Sequence, residues 1–543
     1  LKLTDLPGVG SRIKERLIEQ YGDEKKALKA ILDADVAGLC RALSERQALL
    51  LVQHARGLRY GVMPEQFLAT DEAARIQQML VSRLAGYAHT EYARQKIGTL
   101  FACSSMDLLA ENRKVALAAR QVAERLQGTA LEDLLKKIRP LREKDVARVR
   151  ERAVAVTSAD AFTRLKQRGL DRRIDLHLTE SPVELLDLTK SYSHICLVGT
   201  EMEVAAEVET AESLDDWYLV PEAILGFYKD NLECLMACSR AAEMLRERDV
   251  SGFSGWQTLS RALLKLDMCG DREEERLNRL AGRLAVSVNA SAAWANEELK
   301  KRIEKSSLTL GGTDLLLVMS RGEGVRELLE AQMRGVFADV LREAKARAAG
   351  ELELAGAEAA WLEEIFSAEV SYPLELDRQA MHSFEQEIRS RREERGLKAR
   401  RDLARTLQDQ RDASYSLVHA LMEFDFAYAL GSFALAEGLA FPDIVEEPCL
   451  CFVEGRHLFL ERPEAVSYAL GVKEHPERVA LLSGVNSGGK TTLLDLIAQI
   501  VILAHMGLPV PARACRLSLY EEFYYFSKTR GTLSAGAFET AMR

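Results

Sequence analysis

Between residues 70 and 440 the chain runs in long stretches of Ala, Leu, Glu, Arg and Lys, and the whole 543-residue sequence holds only 12 prolines. These residue types lose little side-chain freedom in a helix, whereas proline would stop one, so the stretch predicts long helices rather than a sheet. The length suggests several domains at roughly 150 residues each. Two places depart from the helical pattern. Residues 172–220 contain RIDLHL, ICLVGT and WYLV, which read as short strands. Residues 306–320 read either as a hairpin around Gly311-Gly312 or as a helix beginning at Asp314. From Arg389 to Asp412 charges of both signs interleave along a predicted helix, either a solvated face with i,i+4 pairs or a surface turned to phosphates.

Near the end, Val479-Ala480-Leu481-Leu482 is an apolar run of the length of a buried parallel strand, and Thr492 to His505 carries Leu493, Leu496, Ile497, Ile500, Val501 and Ala504 at helical spacing. Between them, Gly484 to Thr491 fits G-x-x-x-x-G-K-[ST]. In that pattern glycines let backbone N–H groups turn onto phosphates. Gly484, Asn486, Ser487, Gly488, Gly489, Lys490, Thr491 and Thr492 are therefore the candidate ATP-binding residues. Lys490 would reach the β and γ oxygens, and the Thr491 hydroxyl would ligate Mg2+.

No apolar run approaches the roughly 20 residues of a membrane span and no charged-then-apolar leader opens the chain, so a cytoplasmic protein is expected. The chain opens on Leu1, which reads as a trimmed start. Its nine cysteines include two close pairs, Cys234/Cys238 and Cys449/Cys451, without a second pair at zinc-finger spacing, and are read as reduced, mostly buried thiols. A net charge of −10 argues against a uniformly basic nucleic-acid binder and leaves room for local basic surfaces.

One such surface is expected at the front. Leu6-Pro7-Gly8-Val9-Gly10, followed by Ser11-Arg12-Ile13-Lys14-Glu15-Arg16-Leu17, resembles a helix-hairpin-helix pattern. The glycines permit a tight turn whose N–H groups, at a helix start, can approach a nucleic-acid phosphate. Gly8, Val9, Gly10, Arg12 and Lys14 are the candidate contacts. In a degenerate second copy Leu43-Ser44-Glu45 replaces the glycines, and this copy is expected to complete the small fold without holding phosphate.

The residues around the phosphate loop resemble the ATPase domain of the MutS family: Gly484, Asn486, Gly488, Gly489, Lys490 and Thr491 match its loop, and Gly507 to Ala512 matches a G-L-P-V-P-A segment. Val453-Glu454-Gly455-Arg456-His457 is similar to its approach to that domain, with Leu458 in place of proline, and Leu417 to Asp425 to its helix joining lever and core. The resemblance implies a mainly α fold with a C-terminal α/β domain. Its expected parts are a helix-hairpin-helix module at 1–62, a helical core and first lever at 66–305, a clamp-like region at 306–375, a returning lever and core at 376–447, and the first part of a P-loop ATPase domain at 448–543. A hairpin-helix module leads directly into core-like sequence, so the resemblance points to the family branch without a mismatch-recognition domain, in an archaeal-type version. No small nuclease segment of that branch is found, and no nuclease activity is expected.

Residues Gly531 to Arg543 resemble the signature that brings a serine to the γ-phosphate held by a partner subunit. Gly536 stands where that serine is expected, and Ser534 is the nearest hydroxyl. No Asp-Glu ending an apolar strand follows Lys490, so the hydrolytic half of the ATPase site is expected in a longer parent protein. The leading expectation is a dimeric, ATP-controlled DNA-binding protein of recombination or repair, which joins through its ATPase domain and acts on branched DNA. An RNA- or ribosome-binding ATPase of the same branch and an ATP-binding scaffold without turnover stay open beside it.

Overall fold

A computed structural model describes residues 2–144, 148–199, 208–253, 255–267, 272–305, 324–354, 356–366, 373–483 and 489–526. The expected hairpin at Gly311-Gly312 lies outside them. The described chain is mainly helical with two four-stranded sheets. It divides into two units, one of residues 1–142, 231–263 and 410–543, the other of residues 143–230 and 264–409. Among the described residues no helix is long and apolar enough to cross a membrane.

The first unit begins with a small helical module, in which α1 (Ser11–Tyr21), α2 (Glu24–Leu32) and α3 (Glu45–Tyr60) enclose Leu3, Leu17, Ile31, Leu39, Leu51 and Val52. α1 stops at Gly22, whose positive φ of 84° lets the chain reverse, and Asp23 caps α2 through the Lys26 N–H. A second core is shared by α4 (Asp71–Ala85), α5 (Glu91–Gly98), α6 (Met106–Leu126), α8 (Arg411–Ala436) and α9 (Lys490–His505), with α7 (Leu232–Glu247) also in this unit. α6 and α8 lie so close that a Cβ on Gly431 would stand 2.3 Å from the Ala119 carbonyl, so any side chain there would force the helices apart. The start of α5 is held from α8. The fully buried Asp425 carboxylate accepts from the N–H groups of His89 and Thr90 at 3.0 and 2.6 Å and from the Thr90 hydroxyl at 2.8 Å.

The sheet of the first unit runs in the order Asp443–Val445, Ala514–Ser518, Leu450–Gly455, Val466–Leu470, with the first pair parallel and the others antiparallel. Its strands Leu450–Gly455 and Ala514–Ser518 send Phe452, Cys515 and Leu517 into the core that covers α9.

In the second unit a parallel sheet, ordered Ile174–Leu178, Val149–Val156, His194–Val198, Val208–Thr210, forms from RIDLHL, ICLVGT and two strands that the sequence did not announce. The residues of Val149–Val156 read as a charged lead, VRER, and a short apolar end, too little periodicity to separate from helix. WYLV is a correction, because Asp216–Leu219 is a helical turn that buries Tyr218 and Leu219 against the sheet instead of pairing with it. The unit also holds long helices at Arg272–Lys305, Gly324–Glu351 and Arg378–Gln408, which share a core that includes Leu284, Val288, Leu341, Phe366 and Phe384.

Part of the charged face of Arg378–Gln408 is taken up by carboxylates of the same unit. Arg391 pairs with Glu387 one turn away, Arg400 with Glu222 and Arg401 with Glu209. Arg401 is buried and lies 3.7 Å over the Tyr218 ring, and Glu209 also receives His194 at 2.8 Å. Burial raises the Glu209 carboxyl, but the bonds from His194, Arg401 and Tyr218 outweigh it and hold the group well below the usual carboxylate range. These cations serve the unit's own carboxylates, which favours the structural reading of the stretch over a phosphate-facing one.

Candidate nucleotide and nucleic-acid sites

α9 starts at Lys490, directly after Gly489, which takes a left-handed φ of 72° that a side chain would strain. Among the described residues no side chain caps the helix and no carboxylate lies in its first turn, so none of these takes the N–H groups that a helix start leaves unpaired. Its partial positive charge is reinforced by Lys490 and bordered by the exposed Thr491 and the half-buried Thr492. The arrangement can accept an anion. Gly484, Asn486, Ser487 and Gly488, like Ser534, lie outside the described residues.

The run Val479-Ala480-Leu481-Leu482 is not the buried strand its composition suggests. It forms no strand, and Val479 and Leu481 are 84% and 95% exposed. A strand needs a neighbour to take its backbone bonds, and none of the four strands of the nearby sheet pairs with these residues.

Further along, α9 is held by groups that no motif marks. Gln499, almost fully buried, accepts the Leu458 N–H at 3.0 Å, and the Tyr525 hydroxyl bonds the Asp495 carboxylate. Thr70 exchanges two hydrogen bonds with the Tyr525 backbone, at 2.8 and 3.2 Å, which ties that segment to the start of α4. At the far end His505 is fully buried between Phe67 and Tyr520, whose rings lie 4.3 and 5.6 Å from its own. Its Nδ1 faces the Val501 carbonyl at 2.8 Å and its Nε2 accepts the Tyr520 N–H at 2.9 Å, the pattern of a neutral imidazole. Burial pushes its pKa down to about 4, with the Val501 carbonyl opposing. Met506 follows as the cap, and its carbonyl accepts from Asn112 Nδ2 at 2.9 Å.

At the N-terminal hairpin Gly8 has φ 83° and Gly10 caps α1, with open space where a Cβ would stand on either. No side chain caps α1 and no carboxylate sits in its first turn. Val9 packs on the module core and Arg12 is exposed. Lys14 pairs with Glu24 at 3.1 Å, so part of its charge is already met. Glu24 also accepts the Leu3 N–H at 3.0 Å, and these two bonds, the backbone one first, lower its pKa. The second hairpin is different. Ser44 caps α3 in a capping box in which Ser44 Oγ accepts from the Gln47 N–H and Gln47 Oε1 accepts from the Ser44 N–H.

No protein-family model matches the chain. Among characterised proteins it is 32% identical over 258 residues to the DNA-binding protein MutS2 of Pyrococcus furiosus, a match that covers 46% of this chain and 44% of the relative. The aligned part thus spans less than half of that relative's length. This likeness agrees with the loop, approach and helix residues that resembled one family in the sequence, and over the aligned part the chain is similar to a member of the MutS family that lacks the mismatch-recognition domain.

Proposed function

We propose that the protein binds DNA under the control of ATP, prefers branched or recombination intermediates to mismatches, and works as a dimer joined through the ATPase region. The observation that carries the reading is the start of α9, where Gly489, Lys490 and Thr491 bring a helix N-terminus, a cation and a hydroxyl together and the first turn of the helix holds no acidic residue. Lys490 would meet the β and γ phosphates, and Thr491 would hold the Mg2+ that neutralises their charge. The relative's DNA-binding name and the open α1 start, with Gly8, Gly10 and Arg12, support nucleic acid as the partner. ATP hydrolysis belongs to the whole protein in this reading.

Backbone N–H groups and dispersed cations carry no sequence code, so discrimination would come from shape and from the number of backbones within reach. The test is a competition at one salt concentration among matched duplex, single-mismatch duplex, four-way junction and ribosomes, with and without ATP, for the full-length protein and its Lys490→Ala variant. The junction should win and respond to ATP. Lys490→Ala should weaken nucleotide binding roughly 10- to 100-fold, the worth of a charge-assisted phosphate contact, while DNA binding without ATP persists. A preference for the mismatch or for ribosomes, or equal nucleotide affinity in the variant, would overturn the reading.

A further inference from the structure

Within the first unit, residues of the small helical module and of α5, α6 and α8 line a cleft of about 530 Å3. Small-molecule sites commonly run from roughly 300 to 1,000 Å3, with an apolar lining and a few placed polar groups. The cleft has both. Leu100, Leu430 and Leu508 form an almost fully buried floor beside Phe426, and Val115 on α6 is 37% exposed and stands at the mouth. The charged groups along its walls are Arg56, Arg59 and Lys96 on one side of the ledger and Asp33, Glu111 and Glu423 on the other, a formal balance.

The balance is not evenly spread. Lys96 places Nζ 2.6 and 2.7 Å from the two Glu423 oxygens, the Tyr92 hydroxyl donates to the same carboxylate, and the His419 ring stands edge-on to Tyr92 at 5.7 Å. These groups satisfy one another. Arg56 and Arg59 are different. They stand three residues apart on α3, so both reach one face of the helix. Arg56 donates from Nη2 to Asn112 Oδ1 at 3.1 Å and comes no nearer than 3.9 Å to Glu111, which the Tyr60 hydroxyl already bonds. Among the described residues its Nε and Nη1 make no hydrogen bond. Burial pushes the Arg56 pKa down and the Glu111 charge offsets this only in part, as expected of a cation whose carboxylate is too far away. Arg59 is exposed, lies 5.5 Å from the Tyr60 ring and pairs with no carboxylate among the described residues.

We infer that this cleft binds a small organic monoanion, a compound with an apolar or aromatic body and one carboxylate or sulfonate head, the head held by Arg56 and Arg59 and the body laid on Leu100, Val115, Phe426 and Leu430. A guanidinium offers such a head a planar fork of donors, and the apolar floor gives the body a place out of water. The formal balance sets the charge of the ligand. One negative charge meets the two guanidiniums, whereas a polyphosphate or a nucleic-acid strand would extend past them to the carboxylates of Asp33, Glu111 and Glu423. The site includes neither Lys490 nor the hairpin glycines Gly8 and Gly10, and it requires neither ATP nor DNA.

The test titrates the full-length protein with anilinonaphthalene sulfonate, a monoanion on an aromatic body that fluoresces in apolar surroundings, and in parallel with the uncharged dye phenyl-naphthylamine. The sulfonate should fill one saturable site per chain. Arg59→Gln leaves the bond from Arg56 to Asn112 in place; it should weaken the sulfonate roughly tenfold, the worth of one charge-assisted contact, and leave the uncharged dye within about twofold. Val115→Glu sets a carboxylate on the apolar wall at an exposed helix position, and should weaken both dyes, the sulfonate more. Decanoate should displace the sulfonate, and inorganic phosphate at the same concentration should not. Sulfonate affinity unchanged in both variants would put the dye elsewhere on the surface and overturn the inference. Equal losses of the two dyes in Arg59→Gln, or displacement by inorganic phosphate, would overturn it as well.

Discussion

At the start of α1, Gly10 brings no side chain to the helix, and no side chain caps its first turn. At the start of α3, in the same small module, Ser44 and Gln47 close the same kind of helix end on themselves. Both hairpins fold around one core, and both helices need a reversed chain before them. The difference is therefore not architectural but chemical: a glycine leaves the partial charge of the helix end available, and a capping box consumes it. α9 repeats the contrast along one helix. Its start, at Gly489, carries no side-chain cap, and its end is buried and bonded through His505 and Met506. An open end that is to hold a ligand in place needs its other end fixed.

The closed end of α9 should give the largest effect. His505 has its folded pKa lowered to about 4 from 6.5, so between those values the unfolded chain binds more protons and stability falls as pH falls. The loss begins below about pH 6.5 and levels off below about pH 4. From pH 7 to pH 5 it should reach about 2 kcal/mol, read as the difference in urea midpoint between the parent and His505→Gln, which removes the titration. Parallel pH profiles for the two proteins would mean that the buried imidazole does not oppose protonation.

The next effect comes from closing the open hairpin. Gly10 has extended backbone and no atom within 4 Å of a built Cβ, so Gly10→Asp fits and caps α1. Thermal stability should hold or rise slightly, whereas DNA affinity should fall roughly tenfold and the slope of log K against log salt should become shallower. Unchanged affinity would assign the hairpin to another partner. The smallest effect is the reverse operation. Ser44→Ala should cost about 1 kcal/mol of stability and leave DNA affinity unaltered, and a drop in affinity would mean that the second hairpin also meets nucleic acid.

Much of this was legible in the residues. The glycines at Gly8 and Gly10 and the Gly489-Lys490-Thr491 turn mark helix starts because glycine at a left-handed or uncapped position has a local cause, and local causes are written in consecutive residues. Helix-rich composition foretold long helices for the same reason, and RIDLHL and ICLVGT foretold two strands. WYLV and Val479-Ala480-Leu481-Leu482 could not be judged in this way. An apolar run states that it would be buried but not by what, and the first met a sheet face as a helix while the second has no strand beside it. Contacts between residues far apart in the chain were invisible: Asp425 on the start of α5, Tyr525 on Asp495, and Arg56 on Asn112 and thence Met506. The sequence by itself determined which helix ends are chemically open, because that depends on the cap residue and the turn after it. Only the tertiary structure decided which ends are anchored, and to what, because a buried polar group takes its partner from whatever packing brings within about 3 Å.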